Sequence, residues 1–291
     1  MLQERLEFTK LLAREAGRLT LEGHGKCGQM PKDAHDGGYD IATIFDLSTE
    51  ELVKRRILEQ FGEPVLGEED GLIGDSELAE RSLWIVDPID GTFNYQRGLP
   101  LYAVSIAFCQ EGVPVCAAIF LPVLDQLFFA AKGSGAFLLD KDAPAPVPIT
   151  VSRERDLPKL VISLAGGDIY RLMAACADQK IPWRSLRLSL CAVASLAFVA
   201  SGRADIFSDT ALSLWDVAAG DIILREAGGP AIVDYGGRPI FPEYVSRRLR
   251  QGETAKFPCI AASIPDLIAH PMGELVSAAG LQARTQPAGS A

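Results

Sequence analysis

Cysteine is scarce: six residues in a chain of 291, at positions 27, 109, 116, 176, 191 and 259, with no C-x-x-C pair. That spacing excludes a zinc knuckle and a thioredoxin-like redox pair, and the density is too low for a disulfide-stapled scaffold. Small buried thiols in a reducing cytosol are the expectation. Histidine is scarcer still, at three residues. Long apolar runs are missing: the longest, Val113–Leu124, contains Pro114 and Pro122 and is too short to span a bilayer. The charged N-terminus, MLQERLEFTKLLAREAG, has no signal-peptide core. Basic charge is also in deficit, 28 Lys+Arg against 38 Asp+Glu, a formal net charge of −10. Such a balance argues against sequence-independent nucleic-acid binding, which neutralises phosphates with Lys and Arg. These absences describe a soluble, cytoplasmic protein without membrane or nucleic-acid partners. An anionic substrate would need a local source of positive charge, and with so little histidine a hard metal cation is the candidate.

What is present is globular: 48% apolar and 23% charged residues, enough for one large or two ordinary domains. Leu2, Leu6, Leu12, Ala16 and Leu19 recur at helical spacing over residues 1–22. A Gly-rich stretch from His24 to Tyr39 reads as a mobile loop, and Ser48 with Glu51 has capping-box spacing for a second helix that Gly62 stops. The period then shortens. Val65-Leu66 and Leu83–Val86 are apolar runs that end in acids, and Val104–Phe108, Val113–Phe120, Gln126–Ala130 and Ala136–Leu139 predict an antiparallel meander. Asp142–Pro148, with three prolines, reads as irregular chain and as the domain boundary.

Beyond it, strands at Leu160–Ser163, Ala204–Phe207, Ala231–Val233 and Cys259–Ala262 alternate with helices at Tyr170–Asp178, Cys191–Ser201 and Trp215–Ala227. Arg247, Arg248 and Arg250 fall in an insertion (234–256) and read as a solvated face. The division expected is an N-terminal α+β half over 1–148 and a C-terminal α/β half over 149–265. A short helix and frayed tail would follow over 266–291, polar and small from Gln282 on.

Chemistry concentrates in acids that stand at strand ends or a helix start: Glu68-Glu69-Asp70 after Val65-Leu66, Asp87-Pro-Ile-Asp90-Gly-Thr92 after Trp84–Val86, and Asp216 after Trp215. Carboxylates leaving buried strands side by side are unfavourable unless something positive compensates them, and no Lys, Arg or His lies within these segments. Mg²⁺, which takes oxygen ligands from protein, water and substrate phosphate, is the economical partner. Pro88 fixes the backbone between Asp87 and Asp90, so that their oxygens and the Ile89 carbonyl can converge on one or two ions. Gly91-Thr92 then opens a helix whose N–H groups make a phosphate seat. A two-ion clamp of this kind polarises a phosphoryl group and activates water, and Thr92 supplies a hydroxyl to orient it.

Trp84–Tyr95 (WIVDPIDGTFNY), Leu214–Gly220 (LWDVAAG) and Gly67–Asp70 (GEED) resemble the signatures of the inositol monophosphatase family of Mg²⁺-dependent, Li⁺-sensitive phosphatases. Tyr39–Asp46 (YDIATIFD) is similar to that family's acidic segment, and Arg187–Gly229, with Gly202–Asp205 and Glu226–Gly229, also fits. The resemblance implies a layered α/β/α/β/α sandwich, of α/β (α+β) class, with the site between two halves, commonly as a homodimer. Two to three Mg²⁺ ions are implied: one on Glu68, Asp87 and the Ile89 carbonyl, a second on Asp87, Asp90 and Asp216, a weaker third on Glu68. Asp40 would accept a hydrogen bond from Thr92, and Gly91 and Thr92 would bind phosphate through their N–H groups.

Two departures bear on substrate choice. Leu190-Cys191-Ala192 stands where many members carry Gly-Ser/Thr-Ala, and Asp209 where they carry a polyol-binding Glu. A bulkier, less polar wall discriminates modestly; a lost hydrogen bond to a substrate hydroxyl matters more. The reaction implied is hydrolysis of a small phosphorylated metabolite, inositol monophosphate first. Histidinol phosphate, fructose 1,6-bisphosphate and 3′-phosphoadenosine 5′-phosphate are the alternatives, and a regulatory binding protein with residual activity is a more distant one.

Overall fold

The computed structural model describes residues 2–26, 30–31, 41–164, 185–252 and 256–268. Asp40, the helix expected at Tyr170–Asp178 and the tail from Gln282 lie outside them. Helix α1 (Leu2–Gly23) is followed by a two-stranded pair, β1 (Met30–Pro31) and β2 (Ile41–Ala42), and by helix α2 (Ile44–Phe61). The large sheet comprises β3 (Val65–Gly67), β4 (Leu72–Ile73), β5 (Ser82–Asp90), β6 (Ala103–Gln110), β7 (Val113–Leu121), β8 (Gln126–Ala131), β9 (Gly135–Leu139) and β10 (Val147–Pro148). Its order is β10-β9-β8-β7-β6-β5-β3-β4, with β3 and β5 parallel and the other neighbours antiparallel. Short helices α3 (Ser76–Ala79) and α4 (Thr92–Gln96) flank β5. The small sheet holds β11 (Val161–Leu164), β12 (Ser185–Leu188), β13 (Ile206–Leu212) and β14 (Phe257–Ala262) in the order β12-β11-β13-β14. Helices α5 (Ala192–Ala200), α6 (Leu214–Glu226), α7 (Glu243–Gln251) and α8 (Pro265–Ile268) complete the described chain.

Strand periodicity builds the layers. Trp84 and Val86 of β5, Val104, Ile106 and Phe108 of β6, and Phe120 of β7 pack beneath Leu12, Ala16, Val53 and Ile57 of α1 and α2. The alternate positions, among them Leu83, Ile85, Ala107 and Ile119, face α5 and α6, whose other side meets Phe207 and Ala261 of the small sheet. The far face of that sheet, with Ile162, Ile206 and Ile260, packs on Leu267 of α8. The result is the α/β/α/β/α sandwich, and a single apolar cluster runs through both sheets across the sequence boundary at 142–148.

Four local expectations change. The second helix begins at Ile44, not Ser48. Thr43 caps it: its hydroxyl accepts from Asp46 N–H at 3.3 Å while Asp46 Oδ2 accepts from Thr43 N–H at 2.7 Å. Ser48 lies inside the helix and donates back to the Ile44 carbonyl at 2.7 Å. A Thr three residues ahead of an Asp satisfies two orphan backbone groups reciprocally, and here it outranks the later Ser–Glu pair. The proline-rich 142–148 segment is not wholly irregular, since Val147–Pro148 pairs with β9 at the sheet edge, where a missing N–H is tolerated. The small sheet is mixed, with β11 parallel to β12 and β13 and with β13 and β14 antiparallel, and β12 adds a strand that the apolar pattern of the sequence does not mark. Ala231–Val233 contributes only bridges at Val233. Arg247, Arg248 and Arg250 sit on α7, and Arg250 pairs with Glu80 at 3.0 Å.

Candidate active site

The acids meet where β5 ends. In a regular strand Asp87 and Asp90, three residues apart, would point to opposite faces. The pairing with β6 slips between them: Asp87 lies opposite Ser105 and Asp90 opposite Ala103, three steps against two. This bulge, at a Pro88 that has no N–H for the ladder, turns both carboxylates to one side. Asp216 arrives from the other half of the chain, in the first turn of α6, with Oδ2 held by Ser213 N–H at 2.6 Å. Carboxylate oxygens of Asp87, Asp90 and Asp216 lie within 4.8 Å of one another.

The electrostatics of this cluster are unfavourable as it stands. Asp87 is fully buried; Oδ1 accepts from Ile89 N–H at 3.0 Å, whereas the buried Oδ2 has no hydrogen-bond partner among the described residues. Burial first, then Glu68, Asp90, Asp216 and Asp46, push its carboxyl well above the usual range. Burial also raises Asp90 to about 6, against the opposing pull of the Cys191 thiol and the Val193 and Ala192 N–H groups. Asp216 reaches about 7 through burial and then Asp90, with Ser213 N–H and Lys256 opposing. A buried oxygen with no donor among the described residues, beside two more carboxylates, is an all-oxygen set that a hard divalent cation satisfies. The residues fit a metal ion.

The other residues expected at the site fall as follows. Glu68 lies outside the tight triad but is the charge that most raises Asp87. Parallel pairing of Gly67 with Val86 sets Glu68 level with Asp87 as the two strands end. Gly91 takes φ +89 at the N-terminus of α4, and a Cβ there would stand 3.2 Å from the Cys191 Cβ and from the Leu101 and Leu190 carbonyl oxygens. Both its conformation and its packing therefore demand glycine. The Thr92 hydroxyl donates to the Ile89 carbonyl at 3.2 Å. Asp209, buried on β13, accepts from Ala211 N–H at 2.9 Å and lies near enough to raise Asp90 and Asp216.

Cys191 has a role that the sequence does not announce. The Cys191 thiol donates to Asp90 Oδ2 at 2.8 Å and Val193 N–H donates to the same oxygen at 2.7 Å, so the start of α5 holds Asp90. Leu190, next to Cys191 in the chain, takes φ +52 and is 42% exposed. A leucine in the left-handed region carries about 1 kcal/mol of strain that glycine lacks. Leu190→Gly is expected to leave stability unchanged or slightly raised, and to increase kcat/KM for inositol 1-phosphate relative to bulkier phosphates. An unchanged ratio in steady-state kinetics would count against a wall at Leu190.

Four contributors carry no role that the sequence alone assigns. Asp46, buried at the first turn of α2, acts on Asp87, whereas the segment's other acid, Asp40, lies outside the described residues. The T-x-x-D capping pattern was the available signal. Asn94 donates to the Leu101 and Ser189 carbonyls, at 2.6 and 2.8 Å, and ties the turn after Asp90 to the segment before Cys191. Glu50 and Lys54 lie buried under the Glu68 loop, and no local motif marks them.

A layered sandwich that brings carboxylates from the end of β5 and the start of α6 together fits a metal-dependent phosphatase, and the comparisons agree on the class. The chain belongs to the inositol monophosphatase family, whose sequence profile matches residues 1–267, and it is accordingly a metal-dependent phosphomonoesterase. Among curated relatives, the Nus factor SuhB of Xylella fastidiosa is 34% identical over 231 residues, covering 77% of this chain and 80% of that one. The fructose-1,6-bisphosphatase/inositol-1-monophosphatase of Thermotoga maritima is 31% identical over 237 residues, 81% of this chain and 86% of the relative. The solved structure of a Thermotoga maritima IMPase superposes with a TM-score of 0.76 at 27% identity, covering 96% of this chain and 99% of that one. Among the described residues no helix is long and apolar enough to cross a membrane.

Proposed function

We propose that the protein hydrolyses a small polyol phosphate, inositol monophosphate first, with Mg²⁺ as its metal. The observation that most supports this is the meeting of Asp87, Asp90 and Asp216 around a buried carboxylate oxygen that has no partner among the described residues. Asp87, Asp90, Asp216, Glu68 and the Ile89 carbonyl would hold two to three ions. Bound there, Mg²⁺ would polarise the phosphoryl group and supply an activated water for in-line attack. The chain's own part is positioning. Gly91 and Thr92 offer backbone N–H groups to the phosphate, and the Thr92 oxygen, already donating its proton to Ile89, keeps lone pairs that can accept from water. A carboxylate of the 39–46 segment would complete this arrangement: Asp40, or Asp46, whose charge reaches Asp87. Leu190, Cys191, Ala192 and Asp209 would border the leaving group.

The reading includes a cytoplasmic homodimer, with the halves 1–148 and 149–265 each contributing ligands. Phosphate release from inositol 1-phosphate, fructose 1,6-bisphosphate, histidinol phosphate and 3′-phosphoadenosine 5′-phosphate, with saturating Mg²⁺ and with or without millimolar Li⁺, tests it. Li⁺-sensitive preference for inositol 1-phosphate is the expected result. The mixed name of the Thermotoga relative favours fructose 1,6-bisphosphate as the second substrate to compare. Negligible release from every compound, with Mg²⁺ still bound, would overturn the polyol reading and favour a regulatory role.

A further inference from the structure

Helix α2 carries a polar stripe where packing against β5 would ordinarily call for apolar residues. Asp46, Glu50 and Lys54 follow one another at i, i+4 and i+8, so they share one face, and all three are buried. The Glu50 carboxylate accepts two successive backbone donors of the acidic loop, Oε2 from Glu69 N–H and Oε1 from Asp70 N–H, each at 2.9 Å. The Lys54 ammonium donates to Glu50 Oε1 and stands 3.4 Å from Asp70 Oδ2. Gly67 closes the arrangement from above: a Cβ there would lie 2.4 Å from the Glu50 Cδ. Gly67 N–H also donates to the Gly71 carbonyl at 3.0 Å, which shuts the loop on itself.

Glu68 is thus bracketed, with the residue before it resting on Glu50 and the two after it hydrogen-bonded to Glu50. The pairing of Gly67 with Val86 sets it level with Asp87. A buried carboxylate clamping this loop next to an acidic cluster would add to the repulsion there unless neutralised, and Lys54 neutralises it.

We propose that Glu50, charge-balanced by Lys54, is a positioning residue that sets where Glu68 meets the Asp87 ligand cluster, and so sets the affinity for the divalent cation. It rests on the metal-site reading above. Groups that orient a ligand rather than bind the metal typically change metal affinity by about 10- to 100-fold.

The decisive variant is the double replacement Glu50→Gln with Lys54→Met, which removes both buried charges together and leaves none uncompensated. Calorimetric titration with Mg²⁺ alone is expected to show affinity weakened about tenfold or more. The Glu69 and Asp70 amides should exchange faster with solvent, while the metal-free melting temperature stays near that of wild type. The Mg²⁺ concentration for half-maximal turnover should rise in step, with KM at saturating Mg²⁺ unchanged. Glu50→Asp, which keeps the charge and the Lys54 pair but is one methylene too short to hold both amides, should fall between the two. Wild-type Mg²⁺ affinity in the double variant would overturn the proposal. If the double variant does not fold, wild-type affinity in Glu50→Asp would do the same. Asp87→Asn separates the two readings: if it binds Mg²⁺ like wild type, the metal site itself is wrong and the Glu50 inference falls with it.

Discussion

Asp87→Asn is expected to lower Mg²⁺-dependent phosphate release by on the order of 10³-fold or more while leaving the metal-free protein as stable as wild type, or more stable. The two halves of that result have one cause. Asp87 is buried, holds one oxygen without a partner among the described residues and feels the charges of Glu68, Asp90, Asp216 and Asp46. In the metal-free protein its negative charge is a liability, because burial and like charges act together against it. Asparagine is nearly isosteric, keeps an oxygen for Ile89 N–H and removes that charge. With the metal, the same charge becomes the strongest attraction in the site, and losing transition-state electrostatics on this scale costs several kcal/mol. Melting curves with a chelator, paired with turnover at saturating Mg²⁺, read both effects. Near wild-type turnover would sink the assignment of Asp87 as a metal ligand.

Stabilisation by Mg²⁺ should grow as pH rises from about 5 to about 8, the window that the ligand carboxyls define. Asp90 and Asp216 titrate at about 6 and about 7, and Asp87 is raised well above its usual range. Their unfolded counterparts ionise near pH 4. Between those values the folded, metal-free protein binds protons that the unfolded chain has lost. Stability of the metal-free form from these groups is therefore present at the acid end and declines as pH rises through 6 and 7. Mg²⁺ binds the deprotonated cluster, so its benefit runs the other way. The melting temperature with Mg²⁺ minus that with chelator, followed across this range, should climb steadily. A difference independent of pH would show that the cation binds elsewhere.

How legible the molecule was in its sequence depends on how local each determinant is. The β6–β9 meander is written in apolar runs separated by short turns, and it forms as those runs require. The DPIDGT string is a continuous motif whose proline and glycine announce irregular backbone, so Asp87, Asp90 and Gly91 were readable, and the structure brings Asp87 and Asp90 together with Asp216. The start of α2 was misread because two capping patterns overlap within a few residues, and only the tertiary burial of Asp46 selects the earlier one. Cys191 was visible as a wall residue but not as a donor to Asp90, a contact between residues 101 apart in sequence. Glu50 and Lys54 were invisible for a related reason. On paper they are one more charged pair on an amphipathic helix, and their burial exists only once β3 delivers the acidic loop onto them.

The slip in pairing at Pro88–Ile89 carries a consequence for how such a chain can vary. Substitutions there alter one group at a time, but insertion of a single residue between Ala103 and Ser105 of β6 would match three steps with three, restore an unbroken ladder and swing one acid toward the opposite layer. The strand would be more regular, the composition almost unchanged and the centre gone. What the protein must preserve along β5 is a phase, one residue out of step, as much as the identity of the acids that use it.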